Sequence, residues 1–474
     1  MQFKTNKKVM KKSKIWQFSA LAAALMLTAA SCSKSDDGGN PTPEPGPGQT
    51  ESPYTDIRGS IKSDMKLTKD KIYRLRGYVY VESGATLDIE AGTTIVSNND
   101  SAGVLIVYKG ATINAKGTAS DPIVFTSAEK NPVPGDLGGV VIAGKATGNG
   151  NHAVIEGGVD ETHKNFGGTD DHDNSGVLSY VRIEYAGKAV NPNDEINGLS
   201  LYAVGDGTQI DHVQVVRGLD DGFEFFGGTV NCSHLIAYNC ADDDFDMDDG
   251  YRGHIQFAVS VKDPAFTDAK PDGDLSNNFE VDNTNGKALG FNTNPMTRPV
   301  LSNFTAIGPN NAANTSEDYG YNMRLRRGSS VTLANSIVLG GQKGGLIVED
   351  DVTQNNFKKG DARFYNSVLN AVSHPYLALG ATSIFEDQDI FDLTFSETSL
   401  GGSTLLETAD AAGLTDPFNN AAPKLQPKAG TIALSTKGKF DVNGLDNAFF
   451  KPTTYIGAFD GTNDWTAGWA VWGK

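Results

Sequence analysis

The strings GFEFF at 222–226, DFDMD at 244–248 and NFEVD at 278–282 repeat one apolar–acid–apolar pattern. That alternation belongs to a strand, with apolar side chains turned inward and the carboxylate outward. Phe223 and Phe245 lie 22 residues apart, which is the period of a solenoid of stacked coils. A second register repeats in SYVRIEY (179–185), DHVQVV (211–216), SHLIAY (233–238), SNFTAI (302–307), ANSIVL (334–339) and YNSVL (365–369). Val213 and Leu235 are again 22 apart, so the two registers read as two faces of one coil. Nearer the N-terminus, GATLDIEAGT (84–93) and GATINAKGT (110–118) carry the same alternation into a glycine turn.

These spacings predict an all-β chain wound as a right-handed parallel β-helix. Leu199, Phe223, Phe245, Phe279 and Met323 are expected to stack as one inward ladder, with Leu201, Phe225, Met247, Val281 and Leu325 beside it. The longer intervals from Phe245 to Phe279 and from Phe279 to Met323 imply inserted loops or an intervening coil. Such loops commonly build the binding face of a solenoid. The segment past residue 400 differs in composition, and Trp465, Trp469 and Trp472 fall in its last ten residues. It reads as a cap over the last coil, the other reading being an aromatic platform for sugar rings.

Residues 1–31 read as a targeting segment outside the fold. Lys4, Lys7, Lys8, Lys11, Lys12 and Lys14 form a basic region, followed by an apolar run from Ile15 to Ala30. That run is shorter than a membrane span requires. It closes on Ala29-Ala30-Ser31-Cys32, which resembles a bacterial lipoprotein signal, and the next residues, SKSDDGG, resemble the acidic export tag of Bacteroidetes-type surface lipoproteins. The resemblance implies lipidation at Cys32 and anchoring at the outer membrane, facing outward. Residues 32–54, rich in Gly, Pro and acids, read as a tether. Residues 55–400 are assigned to the β-helix and 401–474 to terminal coils and the capping segment. A strand between Cys232 and Cys240 would hold them too far apart for a disulfide, so both are expected as buried free thiols.

GATLDIEAGT, the stretch DNSGVLSYVRIEYAG at 173–187, DDGFEFFGGTVN at 220–231, DDDFDMDDGY at 242–251 and the ending YIGAFDGTNDWTAGW at 455–469 resemble a family of uncharacterised Bacteroidetes surface lipoproteins. That family is assigned a right-handed parallel β-helix of the pectate-lyase type, so the resemblance speaks to fold and leaves activity open.

The formal net charge is −18 at pH 7. An acidic body repels nucleic acid and suits cations or solubility outside the cell. The outward register runs Ser200, Glu224, Asp246, Glu280, Arg324. Carboxylates of adjacent coils repel by roughly 3–4 kcal/mol at about 5 Å and an effective dielectric of about 20, so such a row needs a cation, a proton or neighbouring Arg and Lys. Asp220, Asp221, Asp242 and Asp243 lie at the strand edges. Hard oxygen ligands in loose geometry suit Ca²⁺.

Three readings compete for this face. The first is binding of an extracellular polysaccharide or other surface ligand, with Ca²⁺ assisting. The second is a polysaccharide lyase or glycoside hydrolase, with Arg324 or Arg326 taking part in β-elimination or paired acids in hydrolysis. The third is an adhesin or structural surface protein on which the acidic column is incidental. The Asp–Asp, Gly-His-Gly and Arg-Ile-Lys set of polygalacturonases is missing. A second candidate metal loop carries Asp170, Asp171 and Asp173, with His163 and His172 nearby to admit a transition metal.

Overall fold

The computed structural model describes residues 52–474 other than 102, 192–193, 269–273, 381–384 and 443. The targeting segment, Cys32 and nearly all of the tether lie outside the described residues. Strands of one large parallel sheet wind into three ladders, the three faces of a β-helix. Long strands such as Gln209–Val216, Asn231–Tyr238, His254–Val261 and Val300–Ile307 serve two faces each. Each turns the corner at one residue that drops out of the pairing: His212, His234, Phe257 and Asn303.

That corner residue has a positive φ of 56°, 54°, 61° and 59° in turn. The left-handed conformation opposes most side chains but suits Asn, and the later coils use it, with Asn335 (φ 52°) and Asn366 (φ 47°) at the same corner. Asn366 Nδ2 donates to Asn335 Oδ1 at 2.8 Å, so the corner stacks through hydrogen bonds as well as shape. The Asn in SNF, ANS and YNS is therefore a corner residue.

The inward ladder falls in the expected register. Leu199 pairs with Phe223, Phe223 with Phe245, Phe245 with Phe279 and Phe279 with Met323. All five are essentially inaccessible. The ring centroids of Phe223 and Phe245 lie 5.2 Å apart and those of Phe245 and Phe279 5.7 Å, with Phe304 edge-on to Phe245 at 5.4 Å. Direct pairing across the long intervals shows that they hold loops, with no coil between. Cys232 and Cys240 are buried free thiols, and Asn231–Tyr238 is a strand.

The tryptophan segment departs from expectation. The helix Asp387–Thr394 closes the end of the core, packing Ile390 with Phe385 beside the strand His374–Leu379. The chain past residue 404 instead runs back along a flank. Trp469 is wholly buried beside Tyr180 and His212, its carbonyl accepts from Arg182, and Lys474 pairs with Glu184. The outer sides of Val216, Ile236, Val259 and Ile307 are apolar, and this segment covers them. Neither an end cap nor a sugar platform describes Trp465 and Trp469: burying that flank is what fixes their place. No helix among the described residues is long and apolar enough to cross a membrane.

Candidate functional site

The third face carries the site because its strands are short and its flanking turns are acidic. Asp243 N–H donates to Asp221 Oδ1 (2.8 Å), Asn277 N–H to Asp243 Oδ1 (2.5 Å) and Tyr321 N–H to Asn277 Oδ1 (2.9 Å). One Asx side chain per coil thus satisfies the backbone N–H of the next, which is why acids recur at this turn. Beyond it the outward column stands in the expected order. Ser200 pairs with Glu224, Glu224 with Asp246, Asp246 with Glu280 and Glu280 with Arg324.

Glu224, Asp246 and Glu280 of this column line a cleft of about 240 Å³. Asp220, Asp221, Asp242 and Asp243 form one edge, Glu224, Asp246 and Glu280 the floor, and Arg326 and Arg327 the far end. Two inserted loops raise the opposite wall. Asn149 Nδ2 donates to the Asn283 carbonyl at 2.6 Å, and Asn285 N–H donates to Asn151 Oδ1 at 2.9 Å, tying the 144–175 loop to the loop after Val281. His152 and Glu156 then face the cleft, with His152 Nδ1 at 3.0 Å from Asp249 Oδ1 and its ring edge-on to Phe226.

Oxygens converge here. One carboxylate atom from each of Asp221, Glu224 and Asp246 lies within 4.8 Å of the others, and the same holds for Asp221, Asp242 and Asp243. Asp221, Asp242 and Asp243 are about 95% buried. Asp246 is half-buried, and its Oδ1 is sealed from solvent with no hydrogen-bond partner among the described residues. Glu224 accepts from Asn197 Nδ2.

Electrostatics follow from that crowding. Burial, then Asp242, Asp220 and Glu224, push the Asp221 carboxyl well above the carboxylate range. Burial, then Glu224 and Glu280, do the same to Asp246, and burial with Asp249 to Asp248. Burial also works against a charged His152, but Asp249, Asp248 and Glu156 outweigh it and lift the imidazole to about 9. Glu280 is raised by burial, against the opposing pull of Arg326. The acids at the centre of the cleft therefore carry protons or share a cation.

Arg324 and Arg326, expected to serve elimination, are held in ion pairs. Arg324 meets Asp274 and Glu280, and Glu349 at 2.7 Å. Arg326 meets Glu280, Asp282 at 2.8 Å and Asp274 at 3.4 Å. Carboxylates hold both guanidinium groups above their ordinary range despite burial. Neither has a lone pair to take a proton, so their geometry opposes a role as base.

The second candidate loop is spent on fastening. Asp171 Oδ1 accepts from Thr147 N–H (2.9 Å) and Oγ1 (2.5 Å), and its Oδ2 from Arg252 at 3.0 Å. Asp170 accepts from His172 N–H, and Asp173 from Ser175 Oγ. His172 pairs with Asp206, while His163 lies between Asp160 and Glu82 and stacks on Tyr80. Each group has a separate partner, and the two histidines serve different ones.

The outward column and the acidic turns were readable in advance. His152, Glu156 and Asp274 were not, because they sit on inserted loops with no period. Asp282, which pairs with the expected Arg326, could have been found two residues past Glu280, as Arg326 is two past Arg324.

A family model described as a pectate-lyase like beta helix domain matches residues 59–408. Among solved structures, the crystal structure of the Dettilon tailspike protein aligns at 9% identity with a TM-score of 0.29, over 67% of this chain and 62% of its own. The chain thus spans less than two thirds of that structure's length. No curated protein matches the chain.

Proposed function

The chain belongs to the pectate-lyase like beta helix domain family, and from that premise we propose that its acidic cleft binds a carboxylated extracellular polysaccharide through Ca²⁺. The observation that carries this reading is Asp246 Oδ1, a buried oxygen without a hydrogen-bond donor among the described residues, in reach of Asp221 and Glu224. A buried acceptor left unpaired is costly, and in an all-oxygen pocket a hard cation relieves both that cost and the mutual repulsion. A cation held in an open cleft keeps ligand positions for an incoming carboxylate, and Arg326 and Arg327 add positive charge at one end. The lipoprotein-like signal ending at Cys32 supports anchoring at the outer membrane, facing the outside.

Among catalytic readings, glycoside hydrolysis has one specific support, the raised carboxyl of Asp246 beside Glu224. The oxygens of Asp221, Glu224 and Asp246 come within 4.8 Å of one another, nearer than the roughly 6.5–9.5 Å carboxyl spacing of inverting enzymes and close to the roughly 5–5.5 Å of retaining ones. Binding is the better supported function. Polygalacturonate or alginate oligomers are expected to bind the chain in millimolar Ca²⁺ and to lose binding in EDTA. Equal binding in both, or none in either, removes the reading. Release of reducing ends would move the cleft to the hydrolase.

A further inference from the structure

The C-terminal flank holds a second pocket, away from the acidic face. We propose that it is a cation-independent binding site for one neutral pyranose ring. The hairpin of Leu414–Asp416 and Lys424–Pro427 and the closing residues of the chain enclose about 240 Å³. That is below the roughly 300–1,000 Å³ of pockets for drug-sized molecules, and it is room for one sugar ring.

One wall is apolar and fixed. Leu425 and Phe459 are each 4% exposed, and the Phe459 ring stacks on Trp465 at 5.5 Å. The other groups are polar and only partly paired. Gln426 Oε1 is buried with no hydrogen-bond partner among the described residues. Its Nε2 donates to the Asn463 carbonyl at 3.3 Å, so a flip of the amide would set two oxygens together and the orphaned acceptor must stay where it is. Trp465 and Trp469 donate their indole N–H groups to the carbonyls of Ala458 and Trp465. Trp472, also lining the pocket, has no such acceptor among the described residues. Asp464 Oδ1 accepts from Thr466 N–H and Oγ1, which leaves its second oxygen for a ligand.

A pyranose matches this set: one C–H face lies on the apolar wall, and its hydroxyls both donate, to Gln426 and Asp464, and accept, from Trp472. An anion is opposed by the two oxygen acceptors. A metal ion is opposed by Lys424 and the indole N–H.

The full chain, in EDTA so that the acidic cleft holds no Ca²⁺, is titrated calorimetrically with glucose, galactose, mannose and N-acetylglucosamine. At least one sugar is expected to bind saturably, Gln426→Leu to weaken it at least tenfold, and Asp246→Asn to leave it unchanged. No saturable binding by any of the four, or wild-type affinity in Gln426→Leu, overturns the proposal. Should the leucine variant fail to fold, Trp472→Phe keeps the ring and removes the N–H, and unchanged affinity there overturns it equally. Because Ca²⁺ is excluded throughout, either result leaves the acidic cleft untouched.

Discussion

Replacing Arg326 with methionine is expected to destabilise the fold by about 3–5 kcal/mol at neutral pH, the usual cost of removing one partner from a buried ion pair. Arg326 is 6% exposed and compensates Glu280, Asp282 and Asp274 together. Without it, Glu280 and Asp282 remain about 95% buried beside Asp246 and Asp248, and Arg324 at 3.4 Å from Glu280 and Arg327 at 2.7 Å from Asp282 offset their charge only in part. The pH dependence has a definite sign. Burial already raises Glu280, and loss of Arg326 raises it further. An acid whose folded pKa exceeds its unfolded value imposes no penalty below the unfolded value, about 4.3, and an increasing one as pH rises toward the folded value. The variant's melting temperature should therefore lie closest to wild type near pH 5 and fall away toward pH 8. A loss that does not vary with pH would mean the effect is packing alone.

Phe245→Ala is expected to cost about 3–5 kcal/mol through a different mechanism, the cavity left when a core aromatic is truncated. Phe245 sits between Phe223 and Phe279 in the inward ladder and against the edge of Phe304. Coils above and below are held by parallel pairing on all three faces, so the space cannot collapse without breaking register. In a solenoid each coil contacts its neighbours alone, so the loss should appear as early melting of the middle coils. Hydrogen exchange of strands Phe223–Gly228 and Phe279–Val281 checks this. Faster exchange confined to distant coils would contradict the stacking described here.

How much of this was legible follows from what has a period. The ladder through Phe223, Phe245, Phe279 and Met323 and the column through Glu224, Asp246, Glu280 and Arg324 could be written from the sequence because a coil repeats its in–out alternation whatever loop separates it from the next. The partners of Arg324 and Arg326 outside that column could not, since Asp274 lies on an inserted loop and Glu349 on a later coil. His152 reaches the cleft only because Asn149 and Asn151 bind residues more than a hundred positions away. The flank covered by Trp469 is apolar on the outside of Ile236 and Val259, an outward apolar row that alternation alone assigns to solvent. Those misplacements share a cause: local patterning fixes a coil, while loops and the C-terminal segment are placed by contacts distant in sequence.

The central claim is that the cleft around Asp246 is a cation site. Its most direct test is calorimetric titration of Ca²⁺ into chelator-treated protein, paired with melting in Ca²⁺ and in EDTA. The account predicts binding with a dissociation constant of about 10⁻⁴–10⁻³ M, as for extracellular Ca²⁺ modules, a melting temperature that rises with Ca²⁺, and loss of both in Asp246→Asn. Superimposable melting curves in Ca²⁺ and EDTA, with no heat of binding, would contradict it.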